Sequence, residues 1–260
     1  DVTTLKEAVL ERPEGEYALF ASGCPVLGGD LKLEGFSESM EEQYSDEECA
    51  AMLEEAVKKA AEADMVVLAL GEHRLQSGEA TSNANIQIPS VQMELLERVC
   101  AVNDRVAVVL FSGRPLDIRV ISAKAQAVLQ VWLPGTEGAR AIMDVLSGDY
   151  APSGKLPMSF PYCVGQVPVH YNEYSTGRPH VEGKDKDRFR SKYLDIPNEP
   201  LYPFGYGLSY TRFAISPAEI DKETMTGAES LHVSVKVKNV GDVAGTETVQ
   251  LYLHDIAASV

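Results

Sequence analysis

The chain has 260 residues, 45% hydrophobic and 24% charged, and a formal net charge of −16. That composition is globular, and the length fits one large domain or one domain plus part of another. The acidic balance repels phosphate backbones and anionic lipid, so neither nucleic acid nor a membrane is expected as a partner, and no apolar run approaches the roughly 20 residues of a membrane span.

The chain opens Asp-Val-Thr, with neither Met nor a signal-like apolar segment, and is expected to be an excised piece or a processed chain. Thr4 to Arg12 predicts a short helix and Tyr17 to Ser22 a strand. Ser45-x-x-Glu48 is a capping box, with Asp46 and Glu47 favourable at the positive end of a helix. Met52, Leu53, Ala56, Val57, Ala60 and Ala61 continue that helix as one buried stripe. Met65–Leu70 predicts a buried strand, and Val91, Leu95, Leu96 and Val99 the next helix, entered through Pro89-Ser90. A second buried strand follows at Arg105–Ser112, then a short helix at Ile118–Ala125 and a strand at Ala127–Leu133. Thr136 to Leu146 predicts a helix ended by Gly148, and Leu156–Phe160 a possible edge strand.

Uniformly apolar strands alternating with amphipathic helices imply a mostly parallel sheet sandwiched by helices, here with four such strands. The texture changes after Gly148 and again after Pro217. Leu231–Lys238 and Thr246–Leu253 alternate, with the turn-rich stretch Asn239–Gly245 between them. These predict a truncated antiparallel β-sandwich segment, too few strands for an independent domain. The expected division is 1–213 for the α/β domain and 214–260 for the partial sandwich.

The four cysteines are widely spaced without C-x-x-C, and the five histidines lack metal-binding spacing, so neither a disulfide framework nor a metal site is expected. No cofactor is expected either. No strand is followed by G-x-G-x-x-G. Gly148–Lys155 (GDYAPSGK) superficially resembles a phosphate-binding loop, but its glycines are one residue too far apart and Pro157 blocks the required helix. There is no G-x-S-x-G nucleophile elbow.

Ligands of open α/β sheets bind beyond the carboxyl ends of the strands. The segments leaving those ends are Gly71–Pro89, Gly113–Asp117 and Pro134–Glu137. Gly71–Pro89 is long, carries few apolar residues and is expected to be mobile. It holds two carboxylates, Glu72 and Glu79, with His73 and Arg74 beside the first. A glutamate carried by such a loop into a separate site and stripped of water suits acid/base chemistry; the bland alternative is a solvated acidic residue in an acidic protein.

Several ordered segments carry a resemblance: SGEATSNANIQIPSVQMELLERV, VAVVLFSGRPLDI, VLQVWLPGTEGARAIMDVLSGDYAPSGKLPMSFP, HYNEYSTGRP and PLYPFGYGLSYTRF. Together they resemble the carboxyl-terminal region of glycoside hydrolase family 3, most closely its three-domain bacterial β-glucosidases. The resemblance implies an α/β sandwich domain followed by the start of a fibronectin type III-like domain. It implies a retaining exo-β-glycosidase whose site is shared with an amino-terminal barrel domain that supplies the nucleophilic aspartate. By itself the chain is then expected to be inactive, its partners being that barrel and a β-linked glucoside or oligosaccharide. The glutamate of the S-G-E segment, Glu79, matches the family's general acid/base. Glu72 is the alternative acid, or a residue that supports the site from behind.

The remaining candidates have structural readings. Trp132 is expected in the core, Arg114 and Arg178 in ion pairs, and Tyr202, Phe204, Tyr206, Tyr210 and Phe213 in packing between domains. Ser77, Gly78 and Ala80 are expected to shape the loop. The alternative function is a non-catalytic α/β module that binds carbohydrate or a protein partner.

Overall fold

The computed structural model describes residues 2–28, 44–174, 176–181, 183 and 187–256. Helix α1 spans Leu5–Leu10, and Thr4 and Glu7 close a capping box at its start. A short 3-10 helix, Pro13–Tyr17, follows. Helix α2, Asp46–Glu62, begins with the second capping box: Ser45 Oγ accepts from Glu48 N at 3.2 Å and Glu48 Oε2 accepts from Ser45 N at 2.8 Å. Each box satisfies two of the backbone donors that a helix start leaves bare, and the cap residue typically contributes about 0.5–2 kcal/mol.

The central sheet holds β1 (Val66–Gly71), β2 (Val106–Phe111) and β3 (Ala127–Gln130), in that order and all parallel. Helix α3, Ser90–Cys100, connects β1 to β2, and α4, Arg119–Lys124, connects β2 to β3. Helix α5, Gly138–Ser147, follows β3 and ends on Gly148, whose φ of 84° is the left-handed cap geometry that glycine adopts without strain. Helix α1 packs on α5, and α2 on α3. The core joins Leu68, Leu70, Val108, Leu110, Leu96 and Ile121 with their neighbours between the sheet and the helices. Alternation turns Val109 to the other face of β2, where it is also fully buried, so both faces of this strand are covered.

Three strands expected in the α/β domain differ. Tyr17–Ser22 belongs to no ladder: Ala18 N bonds Gly15 O, and Lys59 donates to Phe20 O. An extended run becomes a strand only by pairing, and among the described residues β1 is left as an edge strand, with Val67 and Ala69 exposed on one face. The parallel sheet therefore has three strands among the described residues, not four. The strand expected at Ala127–Leu133 stops at Gln130, because Trp132 takes a φ of 53° and turns the chain away. Leu156–Phe160 runs antiparallel to Tyr202–Tyr206, with a single bridge at Phe160–Tyr202 and a further backbone bond from Leu156 N to Tyr206 O, and forms no strand.

Beyond Tyr210 the chain forms two small antiparallel pairs, β4 (Phe213–Ile215) with β7 (Val237–Asn239) and β5 (Glu219–Ile220) with β6 (Val233–Ser234). Thr246–Leu253 enters no ladder. This segment is tied to the α/β unit by Lys155–Glu247 at 3.0 Å and by Gln250 Nε2 donating to Gly205 O at 3.0 Å. Its valines at 233, 235 and 237 all remain exposed. Among the described residues no helix is long and apolar enough to cross a membrane.

Candidate functional site

The parallel sheet places the carboxyl ends of β1, β2 and β3 side by side, and the segments that leave the first two, Gly71–Pro89 and Gly113–Asp117, meet there. Gly71 ends β1 with a φ of 145°, and a Cβ on it would collide with the Phe111 carbonyl of β2. The side chain of Gln92, 3% exposed on α3, closes this end of β1: its Oε1 accepts from Gly71 N and its Nε2 donates to Gly71 O, each at 2.8 Å.

Glu72 follows at once and turns inward, with a side chain only 7% exposed. Its Oε2 accepts from Gly113 N at 2.9 Å, and its Oε1 lies 2.8 Å from Arg114 Nε. That nitrogen has no aligned hydrogen-bond acceptor, so the Glu72–Arg114 contact is an ion pair rather than a directed bond. Arg114 is thus in the structural ion pair expected of it, and its partner is the alternative acid. Arg178 differs from expectation: its guanidinium lies over the Phe189 ring, 5.9 Å from the centroid.

The rest of the Gly71–Pro89 segment folds around the same arginine. Gln76, 4% exposed, accepts at its Oε1 from His73 N at 2.7 Å, and its own N–H bonds His73 O at 2.8 Å. Arg114 Nη2 donates both to Gln76 O and, at 3.2 Å, to Thr81 O. Asn83 Nδ2 adds a bond to Gln76 O at 3.3 Å. The returning leg buries Ile86 and Ile88, and Asp117 N bonds Ile86 O at 2.8 Å. Both legs are therefore fixed to the scaffold, a point the low apolar content of the segment concealed.

What projects is a tight turn. Thr81 Oγ1 donates to Gly78 O at 2.7 Å, Gly78 has a φ of 136° and Ala80 a φ of 59°. Glu79 stands between them, exposed at the tip. Among the described residues nothing bonds its carboxylate. A left-handed alanine costs roughly 1–2 kcal/mol, which the closed turn and the anchored legs offset. Two glutamates seven residues apart are thus opposite in character: one locked into the scaffold, the other offered to solvent. Ser77, Gly78 and Ala80 do shape the loop.

Beside Arg114 opens a groove of about 450 Å³, lined by Ile86, Pro115, Met158, His170, Asn172 and Phe204 among others. Trp132 packs against the core, its ring 5.8 Å from that of Phe160. Tyr202 stacks near Tyr206 at 4.9 Å, Phe204 on Tyr171 at 4.6 Å and near Tyr252 at 6.4 Å, while Tyr210 Oη donates to Val145 O at 2.7 Å. Only Tyr171 and Phe204 of these meet the C-terminal segment, through Tyr252, whereas the contacts of Tyr202, Tyr206 and Tyr210 lie within the α/β unit. The phosphate-loop lookalike binds the protein itself: Lys155 pairs with Glu247 and donates to Gly207 O, and no helix follows it. Among the described residues no cluster of histidine, cysteine or acidic side chains is arranged to hold a metal.

Sequence reasoning missed Gln76 and Gln92, the two buried amides that organise the loop and the strand end. Neither lies in a recognisable motif; only the length of the loop hinted that it needed internal anchors.

Residues 3–210 match the family model described as the glycosyl hydrolase family 3 C-terminal domain. The chain is 42% identical over 248 residues to a periplasmic β-glucosidase of Salmonella typhimurium, which covers 95% of this chain and 32% of that protein. It is 40% identical over 253 residues to a β-xylosidase of Formosa agariphila, covering 96% of this chain and 31% of the relative. A crystal structure of a β-glucosidase from Listeria innocua superposes with a TM-score of 0.76 at 45% identity, over 84% of this chain and 29% of that one. A β-glucosidase from Erythrobacter marinus superposes with a TM-score of 0.78 at 32% identity, over 94% of this chain and 32% of that one. The chain spans about a third of the length of these relatives.

Proposed function

Since the chain belongs to glycoside hydrolase family 3, with the family's C-terminal domain over residues 3–210, we propose that it is the acid/base half of a retaining exo-β-glycosidase, most specifically a β-glucosidase. Glu79 is the general acid/base. The observation that carries this reading is its placement at the exposed tip of a turn, beyond the carboxyl end of the sheet, on two anchored legs. The ion pair that holds Glu72 against Arg114 supports Glu79 over it.

Retaining hydrolysis uses two carboxyl groups about 5–5.5 Å apart. Glu79 would protonate the glycosidic oxygen while the second carboxylate attacks the anomeric carbon, then deprotonate the water that releases the sugar. The attacking carboxylate would come from the amino-terminal barrel domain, so the site forms where the two domains meet. Names among the relatives support both glucoside and xyloside substrates, and the β-glucoside is preferred here because the structural neighbours reported above are β-glucosidases. By itself the 260-residue chain has no nucleophile for the covalent step and is inactive.

Residues 214–260 are the start of a fibronectin type III-like domain. The two antiparallel pairs and the exposed valines at 233, 235 and 237, which a complete sandwich would cover, support this.

The experiment is Glu79→Ala in the enzyme that joins this chain to its barrel. Unactivated glucosides should lose about 10²–10⁴-fold in rate, whereas aryl glucosides with acidic phenols keep their first step. Added azide should restore turnover and yield a β-glycosyl azide. Near-normal rates on unactivated substrates, or azide rescue of Glu72→Ala instead, would overturn the assignment.

A further inference from the structure

We infer that Arg114 is the positioning residue of the acid/base turn, holding the chain on both sides of Glu79 with a single guanidinium that Glu72 serves as counter-ion. The inference rests on the reading of Glu79 given above. One nitrogen, Nη2, donates to the carbonyl three residues before Glu79 and to the carbonyl two residues after it. The intervening residues are thereby closed into a small loop through a side chain that belongs to another strand connection. That side chain is itself fixed: Gly113 is bonded to Glu72, Pro115 restricts the backbone that follows, and Leu116 is 1% exposed in the core.

The chemistry asks for arginine. The extended guanidinium lets Nη2 donate to two carbonyls while Nε lies against a carboxylate, whereas a lysine ammonium is a compact charge on a flexible stem. The cation needs Glu72, because a half-buried guanidinium beside two carbonyls and no anion would be poorly compensated. Transferring a proton to a glycosidic oxygen depends on placement within about 0.5 Å, and an exposed turn reaches such precision only through supporting bonds. Helix and strand packing do not supply it here, since the turn lies outside every element.

The test uses Arg114→Ala, Arg114→Lys and, as control, Arg98→Ala, whose side chain pairs with Glu54 on the helical surface. Hydrogen exchange on the 260-residue chain comes first. In Arg114→Ala the amides of residues 73–81 should exchange at least about tenfold faster while those of β2 stay protected, with Arg114→Lys between and Arg98→Ala unchanged. Unaltered exchange in the loop, or equal acceleration in loop and β2, overturns the inference. Kinetics of the complete enzyme come second. Arg114→Ala should lower kcat on glucosides with poor leaving groups by about tenfold or more, spare the first step with acidic phenols, and leave KM within about twofold. A uniform fall across leaving groups means a merely structural arginine and also overturns it. Exchange in the isolated chain does not depend on what Glu79 does; if azide fails to rescue Glu79→Ala, the acid/base reading falls while the exchange result is unaffected.

Discussion

The side chain of Ser77 fills the place where a Cβ on residue 113 would stand. A methyl group there would run into Ser77 Oγ and Cβ, so the strand connection after β2 and the loop after β1 touch only because position 113 is glycine. Gly113 also donates its N–H to Glu72, which keeps the two segments in register.

Gly113→Ala should therefore loosen the loop rather than the sheet. Overpacking of this kind costs about 1–3 kcal/mol. The expected outcome is a lowered urea midpoint together with faster exchange at residues 73–81. An unchanged midpoint and unchanged exchange would show that Ser77 moves aside without cost.

The two loop glutamates should separate cleanly in stability. Glu72→Ala strands Arg114, and the loss should be about 2–3 kcal/mol, below the full cost of breaking a buried pair because Arg114 retains a 23% exposed side chain. Glu79→Ala removes an exposed side chain without partners and should lie within about 0.5 kcal/mol of the parent. Urea titrations of both variants decide; equal losses would contradict the locked-versus-offered contrast.

Acid should release α1 from α5. Arg140 grips Glu11 with two bonds of 3.0 Å, and Arg12 binds Asp149 at 2.6 Å. The Arg140 guanidinium holds the Glu11 carboxyl below its ordinary 4.5, and Arg12, then Ser147, hold Asp149 below its ordinary 3.8. Depressed folded values mean that the stabilisation is complete above those ordinary values and is lost as pH falls through the lower folded ones. Both side chains are about half exposed or more, so salt should weaken the effect. Carbon-13 NMR titration should give midpoints below 4.5 and 3.8, and Arg140→Ala should return only Glu11 to its ordinary value; ordinary midpoints in the parent would refute the clamp.

The C-terminal segment should make the isolated chain self-associate. Leu251 and Leu253 are 69% and 92% exposed, and the valines at 233, 235 and 237 are exposed as well. So many large apolar side chains left open on one short segment favour association. Sedimentation velocity should show association that strengthens with salt, because screening relieves repulsion between acidic chains. The double change Val235→Lys, Leu251→Lys should weaken it about tenfold. A chain that stays monomeric at high salt would count against reading this segment as part of a larger sandwich.

The sequence by itself determined the elements whose signals are local. Ser45-x-x-Glu48 closes its own cap, Gly148 stops α5 by its own freedom, and the apolar run of β2 is buried on both faces, whereas β1 leaves Val67 and Ala69 exposed. It also singled out Glu79, through a string of residues that resembles a known family. Tertiary structure decided the rest. Tyr17–Ser22 has a strand's composition but no ladder, because hydrogen bonding between strands depends on a neighbour and not on propensity. The different settings of Glu72 and Glu79 turned on Arg114, 42 residues along the chain from the glutamate it pairs with. No periodicity or spacing encodes that meeting. It exists because parallel strands bring the ends of β1 and β2 together, and only there does one carboxylate find a cation while the other is carried past it into solvent.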